Sequence, residues 1–245
     1  MIAQQPFLTD DANVAPIHKF HLELISEYDR LSYLAYPSIR QNTTRLQLTY
    51  GLLNSLEIGC DAPLIAIYNT AQTPNAFGLG DVDLQMKYVV LKEHAGSAWP
   101  AVTVGFYVEV PTGNSQNQLG SGLADYWLNG ILQKQLTERL TYHLNMGLLF
   151  SGNTLTGAVG IEANHGKVFT GASSLTYQAS RRWLIGTEIV GALTGQVSLG
   201  KAQLQGLMGA KFQINHLVGL DFAVTGGKFE GSPRLGGAFG ISMDF

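Results

Sequence analysis

The last eleven residues, Leu235-Gly-Gly-Ala-Phe-Gly-Ile-Ser-Met-Asp-Phe245, put every large apolar side chain on alternate positions. Leu235, Gly237, Phe239, Ile241, Met243 and Phe245 share one face of a strand, and Gly236, Ala238, Gly240, Ser242 and Asp244 share the other, because successive strand side chains point to opposite sides. A soluble sheet must bury such an apolar face, whereas a sheet closed on itself in a bilayer turns it to lipid and keeps small or polar groups inside. The inner face is almost without bulk, so solute, an inserted segment (Phe7 and Leu8) or facing side chains must fill the space it leaves.

The alternation recurs along nearly the whole chain. Twelve segments carry it, near 20–24, 46–50, 56–62, 82–90, 102–110, 126–132, 142–150, 169–177, 185–193, 204–214, 218–224 and 235–245, the eighth least clearly. No run of roughly 18 apolar residues exists, which excludes a spanning helix, so any membrane crossing must be β. The 29 glycines argue the same way, since glycine disfavours helix and tolerates bulges and close strand approach. Only 13% of residues are charged, well below the globular norm of about 25%.

Short turns near Asn54-Ser55, 137–139, 180–182 and 215–216 face longer links near 28–42, 64–79, 112–121, 151–166, 195–200 and 226–233, while 92–99 is long on the short-turn side. That asymmetry predicts an all-β fold: a transmembrane antiparallel up-and-down β-barrel of twelve strands, with short periplasmic turns and longer extracellular loops. Residues 18–245 form the barrel, and residues 1–17, which do not alternate, form an N-terminal segment that lies in the periplasm or plugs the lumen. A soluble β-sandwich is the competing architecture. No charged and apolar leader precedes Ala3-Gln4-Gln5, so a secretory signal is expected to have been removed.

The net charge of −3 with scattered Lys and Arg excludes a nucleic-acid surface. One cysteine, Cys60, excludes an internal disulfide or multi-cysteine metal site. His18 and His21, three apart, fall on opposite strand faces and cannot hold one ion. Neither a metal nor a cofactor is expected.

Residues 78–126 carry the most recognisable text: Gly78-Leu-Gly-Asp-Val-Asp-Leu84, Glu109-Val-Pro-Thr-Gly-Asn114, Leu119-Gly-Ser-Gly122 and Asp125-Tyr126. This resembles the outer-membrane transporters named for the MetA pathway of phenol degradation. The resemblance implies a bacterial outer-membrane barrel that passes small, often aromatic or hydrophobic, molecules, and it brings no catalytic residues.

The inward positions give the candidate pore lining: Glu23, Arg45, Glu57, Asp61, Asp81, Asp83, Lys87, Tyr107, Glu109, Asp125, Trp127, Asn129, His143, Glu188, Lys211 and Asp221. Asp81 and Asp83, with Glu27, Asp61, Glu109 and Asp125, are read as an acidic outer half. They either favour cations or pair with Arg45, Lys87, Lys201 and Lys211 and stiffen the wall. Pro111-Thr-Gly-Asn114 and Gly120-Ser-Gly122 read as a rim turn, or as a loop folded into the pore; no Gly-Lys-Ser/Thr follows to make a phosphate loop. Phe7, Leu8, Asp10 and Asp11 are the candidate plug. His143 with Asn145 raises a phospholipase reading, but a barrel lipase works on its outer wall and this histidine faces inward.

The sequence thus points to a passive channel for small molecules in the bacterial outer membrane. The expected surroundings are the lipid bilayer and lipopolysaccharide, with an envelope partner or second copy as candidate contacts. The alternative is an occluded structural barrel that binds such a partner.

Overall fold

The computed structural model describes residues 5–32, 40–68, 75–150, 166–195 and 202–245. Its strands are β1 (Phe20–Arg30), β2 (Arg40–Leu53), β3 (Leu56–Tyr68), β4 (Ala76–Leu79), β5 (Val82–Leu91), β6 (Ala101–Val110), β7 (Asp125–Gln135), β8 (Leu140–Phe150), β9 (Lys167–Gln178), β10 (Trp183–Leu193), β11 (Gln203–Gln213), β12 (Val218–Gly227) and β13 (Leu235–Asp244). Each strand pairs antiparallel with its chain neighbours, except that β4 and β5 each pair with β3, and β1 pairs with both β2 and β13. The sheet therefore closes and has no free edge, which a bilayer requires. Backbone bonds between Phe20 and Phe245, 2.8 and 3.0 Å, fasten the seam, and their rings lie 5.7 Å apart.

Strands β4 and β5 are two halves of one crossing, so the barrel has twelve. Both pair with β3: Asp61 faces Asp83, while Leu64 faces Leu79. Three steps along β3 meet four along its partner, so one extra residue is inserted at Gly80-Asp81, a bulge that breaks the ladder and re-aims the chain.

The outer wall carries the expected stripe. Leu84, Phe106, Leu128, Met146, Ile189, Met208, Val224 and Phe239 are exposed, as lipid-facing positions must be. Inside, Glu23, Glu57, Lys87, Asp125, Glu188, Lys211 and Asp221 are buried. The eighth segment is a regular strand, β9, whose outward Gly171 and Ser173 explain its faint alternation; the Ser173 hydroxyl donates to that of Tyr142, 3.1 Å away.

Two expected links are shorter than their sequence suggests. The stretch 28–42 is partly strand: β1 reaches Arg30 and β2 begins at Arg40. Its outward Ser26, Asn42 and Thr44 satisfy one another at 2.9–3.0 Å, so the apolar signal is lost although pairing continues. The stretch 64–79 is also largely strand, since β3 runs to Tyr68 and β4 resumes at Ala76. There Ile65 and Ile67 face inward yet are apolar, because Leu119 packs on them.

Candidate functional site

Two stretches of chain enter the lumen. The first is the N-terminal segment, residues 5–17, which runs through the barrel interior. Phe7 is buried against Leu207 and Ala223 with Ala238 beside them. It sits over bare wall: a Cβ added to Gly186 would lie 2.7 Å from the Phe7 ring. Leu8 behaves differently, staying 47% exposed as one wall of a cavity of about 240 Å³ shared with Tyr107, Trp127, Asn129 and Val190.

Most of the segment's anchors are polar side chains of the wall. The Glu188 carboxylate accepts from Leu8 N–H at 3.1 Å, from Thr9 N–H at 2.5 Å and from the Thr9 hydroxyl. Gln133 accepts from Ala12 N–H at 3.0 Å, Glu57 from Ala15 N–H at 2.6 Å and Glu23 from Gln5 N–H at 3.3 Å. The Thr103 hydroxyl donates to Ala12 O at 2.6 Å, and the Tyr107 hydroxyl donates to Asp10. At the segment's end Ile17 makes a parallel bridge to Gly51.

Lys87 is fully buried, with Glu57 at 3.4 Å and Asp10 at 3.7 Å. A buried ammonium survives only when carboxylates surround it, and one of these two belongs to the segment. Burial pushes the Asp11 carboxyl up to about 6, against the pull of Lys87 and of the Asn13 N–H. On the same half of the barrel His21 bridges Asp244 at 2.6 Å and Glu23 at 2.9 Å, and Lys211 lies 3.7 Å from Asp221.

The second insertion is the loop between β6 and β7, residues 111–124. Asp81, at the bulge, accepts from Gly113 N–H at 2.8 Å and Ser121 N–H at 2.7 Å. The Thr112 hydroxyl donates to Gly80 O at 2.8 Å and accepts from Val82 N–H at 3.1 Å. A Cβ on Gly120 would strike the Asp81 carboxylate, so this closeness requires glycine. Leu119 is buried against Ile65 and Ile67. The three motifs at 78–84, 109–114 and 119–122 are thus one clamp, and the stretch that reads as a rim turn instead folds into the outer mouth. Asp81 is a loop anchor more than a free lining charge.

Above the segment the wall carries a row of acids in direct register: Asp61 opposite Asp83, Asp83 opposite Glu109, Glu109 opposite Asp125. Like charges so placed repel. Arg45 bonds Asp61 at 2.9 Å. Lys87 and Lys211 sit with other acids, so they do not neutralise this row, and Lys201 lies outside the described residues. One rung below, Tyr107 pairs with Trp127, followed by inward Asn129. His143 and Asn145 face inward, the His143 ring meeting the Thr176 hydroxyl at 3.3 Å.

All sixteen candidate lining residues lie on the inward face, in an acidic outer group and a mixed periplasmic group. Among the described residues no three His, Cys, Asp or Glu are placed to hold a metal ion. Thr9, Ala12, Ala15, Thr103, Gln133 and Leu119 escape sequence reading, because single small or neutral residues leave no periodic trace.

A closed twelve-crossing barrel with an apolar belt and a polar, narrowed lumen defines an outer-membrane β-barrel of the channel class. The chain belongs to the family described as "Putative MetA-pathway of phenol degradation", which matches residues 9–239. The COG4313 outer membrane channel from Pseudomonas putida F1 has the same fold: TM-score 0.70, 14% identity, covering 96% of this chain and 98% of that one. The KdgM porin, solved with disordered oligogalacturonate, is similar at TM-score 0.60 and 11% identity, covering 92% and 99%. The outer membrane phospholipase A from Escherichia coli also shares it, at TM-score 0.54 and 9% identity, covering 98% and 93%. No curated protein sequence matches the chain.

Proposed function

We propose that the protein is a passive outer-membrane channel for small molecules, with residues 5–17 as a removable plug and the 111–124 loop as a fixed constriction. The carrying observation is how the segment is held. From Leu8 to Ala15 its amides meet wall side chains, Glu188, Gln133 and Glu57, and it reaches the sheet at its end, where Ile17 bridges Gly51, so residues 5–15 can leave without opening the barrel. The register-matched acids near the outer mouth raise the local concentration of cations and of neutral solutes relative to anions. The aromatic pair below them and the cavity beside Leu8 suit a small apolar or aromatic body. No chemistry is assigned: the hydroxyl that His143 meets is a threonine's, and the ring faces the lumen, away from lipid.

Planar-bilayer recording of the full chain and of a variant lacking residues 1–17 tests this. The full chain is expected to conduct weakly with brief larger events, and the shortened chain steadily. No current from either, with heat-modifiable folding intact, refutes the channel and favours an occluded barrel that binds an envelope partner.

A further inference from the structure

The periplasmic side of the lumen holds a cavity of about 360 Å³ under β7 to β11 whose chemistry neither plug nor constriction explains. Its charged walls are Arg181, Arg182 and Lys211, with Asp11 of the N-terminal segment as the single carboxylate. That carboxylate already accepts from Asn13 N–H at 2.8 Å. Arg181 and Arg182 are exposed in the β9–β10 turn and, among the described residues, have no ion-pair partner. The outer half of the lumen has the opposite balance.

Two buried atoms in this wall are more informative than the net charge. Lys211 is 4% exposed, and its Nζ has no hydrogen-bond acceptor among the described residues, Asp221 being 3.7 Å away. Among the same residues the Gln213 Oε1 has no donor, although its Nε2 donates to Asn215 O at 2.5 Å and Val218 O at 3.2 Å. Leaving a buried polar atom unbonded costs roughly 1–3 kcal/mol, and such groups generally have an explanation in a ligand, ion or water. A donor and an acceptor, both unmet, lie in one wall. An inorganic anion without a hydroxyl, such as sulfate, answers only the donor. A neutral sugar can bond both through its hydroxyls, but it leaves the charges of Arg181, Arg182 and Lys211 uncompensated.

We infer that this cavity binds a small hydroxylated carboxylate, whose oxyanion takes the Lys211 and arginine donors and whose hydroxyl donates to Gln213. The site would lie on the periplasmic side of the path, next to the plug residues Asp11 and Asn13. Its role in passage rests on the channel reading above, but binding itself does not.

The test is calorimetric titration of the detergent-solubilised full chain with sodium gluconate, glucose and sodium sulfate at matched ionic strength. Gluconate is expected to bind saturably, with glucose and sulfate each at least tenfold weaker. R181Q/R182Q, in an exposed turn outside the sheet, is expected to keep its heat-modifiable mobility and lose gluconate affinity at least tenfold. Q213A is expected to weaken gluconate while leaving sulfate unchanged. Gluconate heats equal to those of sodium chloride, binding unaltered in the arginine variant, or sulfate or glucose binding tighter than gluconate would each overturn the assignment. Gluconate binding by a protein that conducts nothing would sink the channel reading and leave this one standing.

Discussion

The two stretches that enter the lumen are held by opposite means. The loop of residues 111–124 is fixed at one point: two main-chain amides on the Asp81 carboxylate and Leu119 buried on Ile65 and Ile67. The N-terminal segment is spread over polar contacts to Glu188, Gln133, Glu57 and Thr103, with Phe7 as its main apolar anchor. Water can replace scattered hydrogen bonds one at a time, so that no single break carries the whole cost of release. It cannot replace a buried leucine and a doubly bonded carboxylate at the same spot. On the function proposed above, the first arrangement narrows the pore permanently, and the second closes it reversibly.

Breaking the loop should have the largest effect. Asp81→Ala leaves the Gly113 and Ser121 amides without their acceptor, at roughly 1–3 kcal/mol each. Proteinase K is expected to cut within 111–124, and the melting temperature to fall. A protected loop in that variant would show that Leu119 and the Thr112 hydroxyl are enough to hold it. Glu188→Ala should come next. It removes the acceptor for Leu8 N–H, Thr9 N–H and the Thr9 hydroxyl, and charged hydrogen bonds are worth roughly 1.5–3 kcal/mol each. With water compensating in part, plug release is expected to become about 10²-fold more frequent in single-channel records, while the melting temperature of the barrel stays put.

Acid should tighten the plug. The Asp11 carboxyl titrates near 6 when buried, against 3.8 ordinarily, so the docked form binds its proton more tightly than the released form. Docking therefore strengthens as pH falls through about 6 and gains nothing further below 3.8. The groups acting on Asp11 are Lys87, Asp10, Glu57 and the Asn13 amide. Between pH 7 and pH 5 the frequency of release is expected to drop about tenfold. Asp11→Asn should abolish that step, and a step that persists in the variant would assign it to another group.

The lipid-facing half of this architecture is legible in sequence because lipid imposes one rule, apolar at every second position, on each crossing. It fails where a second constraint acts. Ile65 and Ile67 break the alternation because Leu119, more than 50 residues on in the chain, covers them from inside. Ser26, Asn42 and Thr44 break it from outside by bonding one another. The inward orientation of all sixteen lining residues follows from parity alone, but which acids find cations does not. Lys87 and the outer acids share a lumen, yet register and the incoming Asp10 decide that Lys87 answers Glu57 and Asp10 while Asp61, Asp83 and Glu109 face Arg45. Phe7 could be suspected from the bare inner face of β13. Thr9, Ala12 and Ala15 could not, since their roles depend on main-chain amides that every residue carries.

The smallest effect sharpens the contrast between a fixed and a removable narrowing. The acid row lies beside the fixed loop: Arg45, Asp81, Asp83, Glu109, Leu119 and Trp127 bound one small cavity of about 60 Å³. If the loop keeps the path close to these carboxylates, removing the plug widens the channel without freeing ions from their field, which acts within a Debye length of about 10 Å at 0.1 M salt. Reversal potentials in a potassium chloride gradient should then show a cation preference in the variant lacking residues 1–17. D83N/E109Q on that background should reduce the preference roughly threefold, because two charges of a local cluster are lost while the pore keeps its width. High salt should erase the difference by screening. A preference that vanishes on plug deletion alone would mean that the segment's own Asp10 and Asp11 set it, and that the loop does not hold the ion path against the wall.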